Sequence, residues 1–130
     1  MYISSTHEDG AIFAYLEDMD ENRNSFLITE GQFRVIHRKI SSETPLYKIG
    51  VPYHTYKKAD ALPLVPGEVA EIQFALIPTS IIIRKGHRIR IAIGGADKDT
   101  FTRLPKEGNP EITVSRNKEH ASSIELPVIQ

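Results

Sequence analysis

The stretch that decides the fold runs from Leu76 to Asp97 and reads LIPTSIIIRKGHRIRIAIGGAD. From Arg88 to Ile93 isoleucine alternates with arginine or alanine, and such period-two alternation is typical of a half-buried strand. The run Ile81–Ile83 predicts a partner strand. Between the two, Arg84–His87 predicts a tight turn in which Gly86 supplies a positive φ. The stretch therefore predicts a β-hairpin at the centre of a β-sandwich.

The flanking sequence predicts more strands. Ala11–Leu16 is apolar at both alternating sets of positions, which indicates a central strand covered on both faces. Ala70–Leu76 alternates apolar and polar residues, which indicates a strand buried on one face, and Pro78 ends or bends it. No stretch of a dozen residues keeps helical periodicity, so about seven or eight short strands predict an all-β sandwich. The shorter candidates are Phe26–Thr29, Phe33–Ile36, Ile112–Val114 and Ile124–Val128.

Length and composition narrow the class of protein. The 130 residues predict a single β-sandwich domain over residues 1–130, large enough to bury a core without disulfides. The 16 basic and 17 acidic residues are interleaved, so we expect no nucleic-acid surface. Without cysteine there is no thiolate metal site. The apolar runs are too short to cross a membrane and the first residues do not form a signal peptide, so we favour a cytoplasmic protein.

The central stretch combines P-T-S, an apolar run, G-H-R-I-R and G-A-D. It resembles the C-terminal domain of the X-prolyl dipeptidyl-peptidase and cocaine esterase family of serine hydrolases. Four further segments resemble that domain's other landmarks in the same order, so the resemblance covers nearly the whole chain. They are DGAIFAYLEDMD (Asp9 to Asp20), TEGQFRVIHRKI (Thr29 to Ile40), PYHTYKKADALPLVPGEV (Pro52 to Val69) and SSIELPVIQ (Ser122 to Gln130).

The resemblance implies a jelly-roll sandwich related to galactose-binding domains. Such a domain is non-catalytic, packs on an α/β-hydrolase domain and helps to wall its active site. No catalytic residue carries over, because the family's triad lies outside the matched region. The chain begins almost at the DGAIFAYLEDMD segment, so the resemblance also implies that an opening strand or two of the family's sandwich is missing.

The residues themselves also argue against a catalytic site in this chain. No glycine opens the G-x-S-x-G pattern that places a nucleophilic serine on a strand-to-helix elbow. We therefore expect the chain alone to be inactive, with no catalytic residue and no cofactor. The acidic groups Asp18–Glu21 and Asp97–Asp99 do not fit a calcium loop, so we predict no metal site. Asp97 is expected to accept hydrogen bonds from the amides of its own loop.

A few side chains are candidates for contact with another domain. Arg38–Tyr56 is predicted to be a long surface loop, and long loops often carry function. In this loop, His54 is the best candidate for a group that faces the cleft of a neighbouring domain. Tyr53 and Tyr56 lie close to it in sequence and are candidates for the same contact. On the outer face of the predicted hairpin, Arg88 and Arg90 either meet solvent or bind carboxylates of that domain.

The other histidines are interpreted as structural. His87 is expected to bond a nearby backbone group or carboxylate from its turn. His37 is expected to play a similar part at a strand end. His7 and His120 are expected to be solvated turn residues.

Two further expectations concern binding and assembly. An independent carbohydrate- or peptide-binding sandwich is the alternative function, although the chain has no tryptophan and only five tyrosines and five phenylalanines to build a sugar platform. If opening strands are missing, an unpaired sheet edge remains and is a template for another strand. We therefore predict a homodimer, or a domain-swapped pair, held by sheet extension through Met1–Ser5 or Ala11–Leu16 near the N-terminus.

Overall fold

The computed structural model describes residues 1–47 and 50–129, and its regular structure is almost all β. Two short 3-10 turns, Val35–His37 and Lys58–Asp60, are the helical segments of this described part. The all-β prediction is confirmed. The strands are β1 (Tyr2–Ser5), β2 (Ala11–Met19), β3 (Ser25–Arg34), β4 (Ala70–Glu71), β5 (Arg88–Gly94) and β6 (Ile112–Ser115).

The strands form two antiparallel three-stranded sheets, a partial β-sandwich, with the orders β4-β1-β6 and β3-β2-β5. β2 and β3 form a continuous hairpin in which Ile12 lies opposite Phe33. The sequence predicted two short pieces in place of β3, but Gly31 continues the strand opposite Ala14. A β-bulge occurs instead at Leu16/Glu17.

The core lies between the two sheets, because each presents an apolar face to the other. Ile3 of β1, Ile12 of β2 and Phe33 of β3 are buried there together. Val35, Leu64 and Ile72 come from the connecting segments and belong to the same cluster.

β2 is covered on both faces, as its sequence predicted. It lies between β3 and β5, and the neighbouring side chains Ile12 and Phe13, which point to opposite faces, are both buried. On the outer face the loop after β5 supplies the cover, because Phe101 packs on Phe13 with the ring centres 5.1 Å apart. Apolar residues at both alternating sets of positions predicted a central strand, and this prediction is confirmed.

The same loop is fixed to β2 by a hydrogen bond. The Tyr15 hydroxyl donates to the Asp97 carboxylate at 2.7 Å. The Thr100 amide donates to the other Asp97 oxygen at 3.3 Å, which confirms the expected bond within the loop. The Tyr15 hydrogen bond lowers the pKa of Asp97 below its usual value. The same bond, with desolvation, raises the pKa of Tyr15 to about 12.

We expect Tyr15→Phe to flatten the pH dependence of stability at both ends. Because its folded-state pKa is depressed, Asp97 stabilises the fold above about pH 4, and this contribution is lost as the pH falls through that folded-state pKa. Because its folded-state pKa is raised, Tyr15 contributes stability below about pH 10 that is lost as the pH rises towards 12. Urea midpoints of both proteins at pH 3, 7 and 11 test this, and parallel pH profiles would contradict it.

The predicted central hairpin forms only in part. β5 exists, and the turn before it closes through a hydrogen bond from the His87 amide to the Arg84 carbonyl at 3.1 Å, with Gly86 at φ 89°. However, Ile81–Ile83 is not a strand, so that prediction was wrong. β5 pairs instead with β2, where Ile91 lies opposite Leu16. Pairing with β2 gives β5 its backbone partner without a local hairpin.

Ala70–Leu76 was also predicted as one long strand, but only Ala70 and Glu71 are strand. The chain then runs along β3, where the Ile77 amide donates to the Glu30 carbonyl at 2.8 Å. Gly31 permits this close approach, since a Cβ there would lie 2.6 Å from the Ala75 carbonyl oxygen. Ile124–Val128 is not a strand either. Pro127 within it cannot donate to a ladder.

The apolar side of β5 is only partly covered. Ile89, Ile91 and Ile93 remain 49, 37 and 44 % exposed. A groove of about 330 Å³ lies between Ile91 and Ile93 of β5 and Ile112 and Val114 of β6. β5 is an edge strand of one sheet and β6 an edge strand of the other. The open side of the sandwich therefore lies between β5 and β6.

This arrangement corrects the predicted position of the free edge. Met1–Ser5 contains β1, which is paired on both sides by β4 and β6. Ala11–Leu16 lies in β2, which is paired on both sides by β3 and β5. Along most of each segment both edges already carry a partner, so little free edge is left for an added strand.

Candidate functional site

His54 fastens the long loop to the sandwich. The residue is 5 % exposed, and its ring packs on Phe33 of β3 with the ring centres 4.9 Å apart. Its Nδ1 lies 3.0 Å from the Lys39 carbonyl oxygen and its Nε2 lies 2.8 Å from the Gln73 carbonyl oxygen. Carbonyl oxygens only accept, so both contacts are hydrogen bonds when both ring nitrogens carry protons. The loop is thereby attached to the segment that runs along β3.

The two tyrosines beside His54 have different environments. Tyr53 is half-buried, and its carbonyl accepts a hydrogen bond from the Ser41 amide at 2.8 Å. Tyr56 is 61 % exposed, and its ring meets the edge of the His37 ring with the centres 5.2 Å apart. Tyr56 also has a φ of 55°. A bulky residue in this left-handed region is strained, and such strain is concentrated at functional positions.

A polar network holds the backbone on both sides of Tyr56. The Thr55 hydroxyl donates to the Asp60 carboxylate at 2.7 Å and accepts from the Lys57 amide at 3.2 Å. Lys39 forms an ion pair with the same carboxylate. Hydrogen bonds from Lys39 and then Thr55 lower the pKa of Asp60. The network therefore fixes the residues on both sides of Tyr56.

The most exposed apolar side chains of the loop were not among the residues predicted to face another domain. Leu46 is 90 % and Tyr47 74 % exposed. The sequence feature that could have identified these two residues is an apolar pair within a long loop that otherwise shows little periodicity. We use the term loop face for four of the side chains that this region exposes or half-exposes: His37, Leu46, Tyr47 and Tyr56.

Arg88 and Arg90 are not part of the loop face. Both lie on β5, whereas His54 packs on β3, and β2 separates these two strands. Arg90 places Nε 3.2 Å from the Glu17 carboxylate and donates from Nη1 to the Ser25 hydroxyl at 3.1 Å. The two charged groups are close enough for an ion pair but do not form a hydrogen bond. Glu17 Oε2 is buried and has no hydrogen-bond partner among the described residues. Arg88 is exposed at the start of β5.

The remaining histidines are structural. His87 Nδ1 lies 2.9 Å from the buried Asp18 carboxylate, which confirms the expected carboxylate contact from the turn. His7 bonds the Thr6 hydroxyl through Nδ1 at 2.8 Å. His120 packs against Tyr2 with ring centres 5.3 Å apart.

Two absences hold for residues 1–47 and 50–129. No group of three or more histidine, aspartate or glutamate side chains there is placed to share a metal ion. No helix in the same residues has the length and apolar character needed to cross a bilayer.

The fold is that of a partial β-sandwich. The profile of the X-Pro dipeptidyl-peptidase C-terminal non-catalytic domain matches residues 1–125, and the chain belongs to that family. This confirms the resemblance seen in the sequence. No solved structure matches the chain significantly.

Two curated relatives are longer proteins. Both are named "Putative serine esterase", one from Mycobacterium bovis and one from Mycobacterium tuberculosis. Each is 52 % identical to this chain over all of its 130 residues. The chain spans only 20 % of the length of each relative.

Proposed function

We propose that the chain is the accessory β-sandwich of a serine hydrolase of the X-prolyl dipeptidyl-peptidase and esterase type. In this proposal it packs on the α/β-hydrolase domain of the parent enzyme and helps to wall the active site. The family membership and the serine-esterase names of the longer relatives support the parent's class. The proposal includes a jelly-roll topology of the galactose-binding type for the complete sandwich.

The loop face is the surface proposed to contact the hydrolase domain. Tyrosines and apolar side chains are enriched at the centres of protein interfaces, where they account for much of the binding energy. Leu46 and Tyr47 are largely exposed, and Tyr56 is held outward at a cost in backbone strain. A partner surface that covers these side chains would remove their apolar area from water. The free energy gained would offset the backbone strain at Tyr56. The exposed, strained Tyr56 is the observation that carries this assignment.

A hybrid enzyme tests the proposal. Residues 1–130 replace the matching region of the Mycobacterium tuberculosis relative, and hydrolysis of a chromogenic ester is measured. We expect Tyr47→Asp and Tyr56→Gly to lower kcat/KM about tenfold or more. Loss of the contact would shift the sandwich that borders the active site, and the substrate would then be poorly positioned. Tyr56→Gly should at the same time stabilise the isolated chain, since glycine adopts the left-handed conformation freely.

Ile82→Asp is the matched control, because Ile82 is 86 % exposed but lies outside the loop face. It should leave kcat/KM unchanged. The isolated chain should hydrolyse neither the ester nor a Gly-Pro-anilide. Full activity in the hybrid with both loop-face variants would refute the proposed contact. Turnover by the isolated chain that survives repurification and is lost on mutating one of its own serines would refute its accessory role.

A further inference from the structure

We propose that His54 is a proton-dependent latch, which holds the long loop on the sandwich while both ring nitrogens carry protons and releases it when one proton is lost. The ring lies between two carbonyl oxygens, with Nδ1 3.0 Å from that of Lys39 and Nε2 2.8 Å from that of Gln73. A neutral imidazole has a single N–H group, so it can donate to only one of these oxygens and turns a lone pair toward the other. Only the imidazolium form satisfies both contacts.

The surroundings of the ring decide between its two forms. Burial alone disfavours a charged ring, and His54 is 5 % exposed. The two carbonyl acceptors oppose this effect, because hydrogen bonds from a charged donor are stronger than those from a neutral one. Phe33 lies 4.9 Å away between ring centres, within the range of about 6 Å over which an aromatic ring attracts a cation. Neither carbonyl oxygen has another donor among residues 1–47 and 50–129, so a neutral ring would leave one of them unpaired.

The charged groups on the sandwich side of the ring do not compete with the carbonyls. On β3, Glu30 and Arg34 point to the face opposite that of Phe33, because side chains alternate along a strand. On the segment after β4, Glu71 accepts a hydrogen bond from the Gln73 side chain at 2.9 Å. The contact from Gln73 to the ring is made by the backbone carbonyl alone.

The charged groups on the loop side are paired with one another. Lys39 forms an ion pair with Asp60, and Lys57 forms one with Glu43 at 2.8 Å. Tyr56 is the titratable side chain whose ring faces the latch, with the ring centres 6.0 Å apart. Its hydroxyl stays neutral in the range where histidine titrates. The polar contacts of the ring are therefore those with the two carbonyls, and they favour the protonated form.

Loss of a proton would free the middle of the loop while its ends stay attached. Near the ends, the Leu62 amide donates to the Ile36 carbonyl at 2.7 Å and does not involve the latch. Because the closed loop favours the protonated ring, the stability that the latch contributes is complete at acid pH and is lost as the pH rises. In the parent enzyme the loop face would then be presented in a proton-dependent way. That consequence rests on the proposed function, whereas the latch itself does not.

Long-range proton–nitrogen NMR of the purified 130-residue chain tests the protonation of His54, with its ring signals assigned through the backbone. We expect both ring nitrogens to carry protons at pH 7.5, where a histidine in water is mostly neutral. A His54 ring with a single N–H group at pH 7.5 would overturn the proposal. This measurement needs no variant.

Hydrogen exchange of the Ser41 amide tests release of the loop, since this amide donates to the carbonyl of Tyr53, the residue before the latch. Its protection, corrected for the intrinsic pH dependence of exchange, should fall about tenfold between pH 6 and pH 8.5. In His54→Gln the protection should not change with pH, because glutamine has no proton to lose in this range. His37→Gln is the matched control in the same region and should keep the fall seen in the native chain.

Protection that is constant with pH in the native chain, or that falls equally in His54→Gln, would refute the latch. The native profile is decisive even if His54→Gln fails to fold. These measurements use the isolated chain, whereas the hybrid enzyme tests the loop-face contact. Failure of the latch and failure of the proposed function are therefore distinguishable.

Discussion

Ile3→Ala is expected to lower the free energy of unfolding by about 2–5 kcal/mol. Ile3 is fully buried in β1, between Ala70 of β4 and Val114 of β6. Truncation removes apolar contacts and leaves a cavity that paired strands on both sides cannot easily close. Urea unfolding followed by circular dichroism measures the change, with the slope checked to confirm two-state behaviour.

Ile91→Ala is the matched control for this cavity. Ile91 lies in the middle of β5 on its apolar face, but it is 37 % exposed at the edge of its sheet. Because much of the side chain is already in water, its truncation should cost less than about 2 kcal/mol. Equal losses for Ile3→Ala and Ile91→Ala would mean that the β5 face is covered in solution.

His54→Ala is expected to lower the free energy of unfolding by about 3 kcal/mol. The substitution leaves the carbonyl groups of Lys39 and Gln73 without their ring partner and removes the packing on Phe33. The effect should be largest in the loop that His54 attaches. Hydrogen exchange of the Ser41 amide, which donates to the Tyr53 carbonyl, should therefore become faster.

His37→Ala provides the control within the same region. His37 is half-buried and contacts the exposed Tyr56 ring. Its removal should change the free energy of unfolding by about 1 kcal/mol or less. A His54→Ala protein as stable as His37→Ala, with unchanged exchange at Ser41, would show that His54 does not hold the loop.

The predictions from sequence were most accurate where local pattern and tertiary environment agree. Ala11–Leu16 was identified as a central strand because only a strand covered on both faces is apolar at consecutive positions. The turn at Gly86 was correct because its conformation depends on a few adjacent residues. The family was correct because motifs in a fixed order across the chain are more specific than any single segment.

The candidate site was harder to predict for a physical reason. An exposed aromatic and a buried histidine can be neighbours in sequence, as Tyr56 and His54 are, and their burial depends on what packs above them. His54 is buried because the segment around Gln73 returns to it, a contact 19 residues away in sequence. The residues beside Tyr56 are held by the Thr55–Asp60–Lys39 network, which brings together residues from two parts of the chain.

By itself the sequence determined the fold class, the family and the central position of β2, because hydrophobic periodicity and ordered motifs are properties of the chain alone. The tertiary structure decided which strands pair. Ile81–Ile83 has as strong a β pattern as β5, yet β5 obtains its hydrogen bonds from β2, so the local hairpin does not form. The free edge consequently lies at β5 and not at the N-terminus. Pairing partners depend on long-range contacts that a local pattern permits but does not specify.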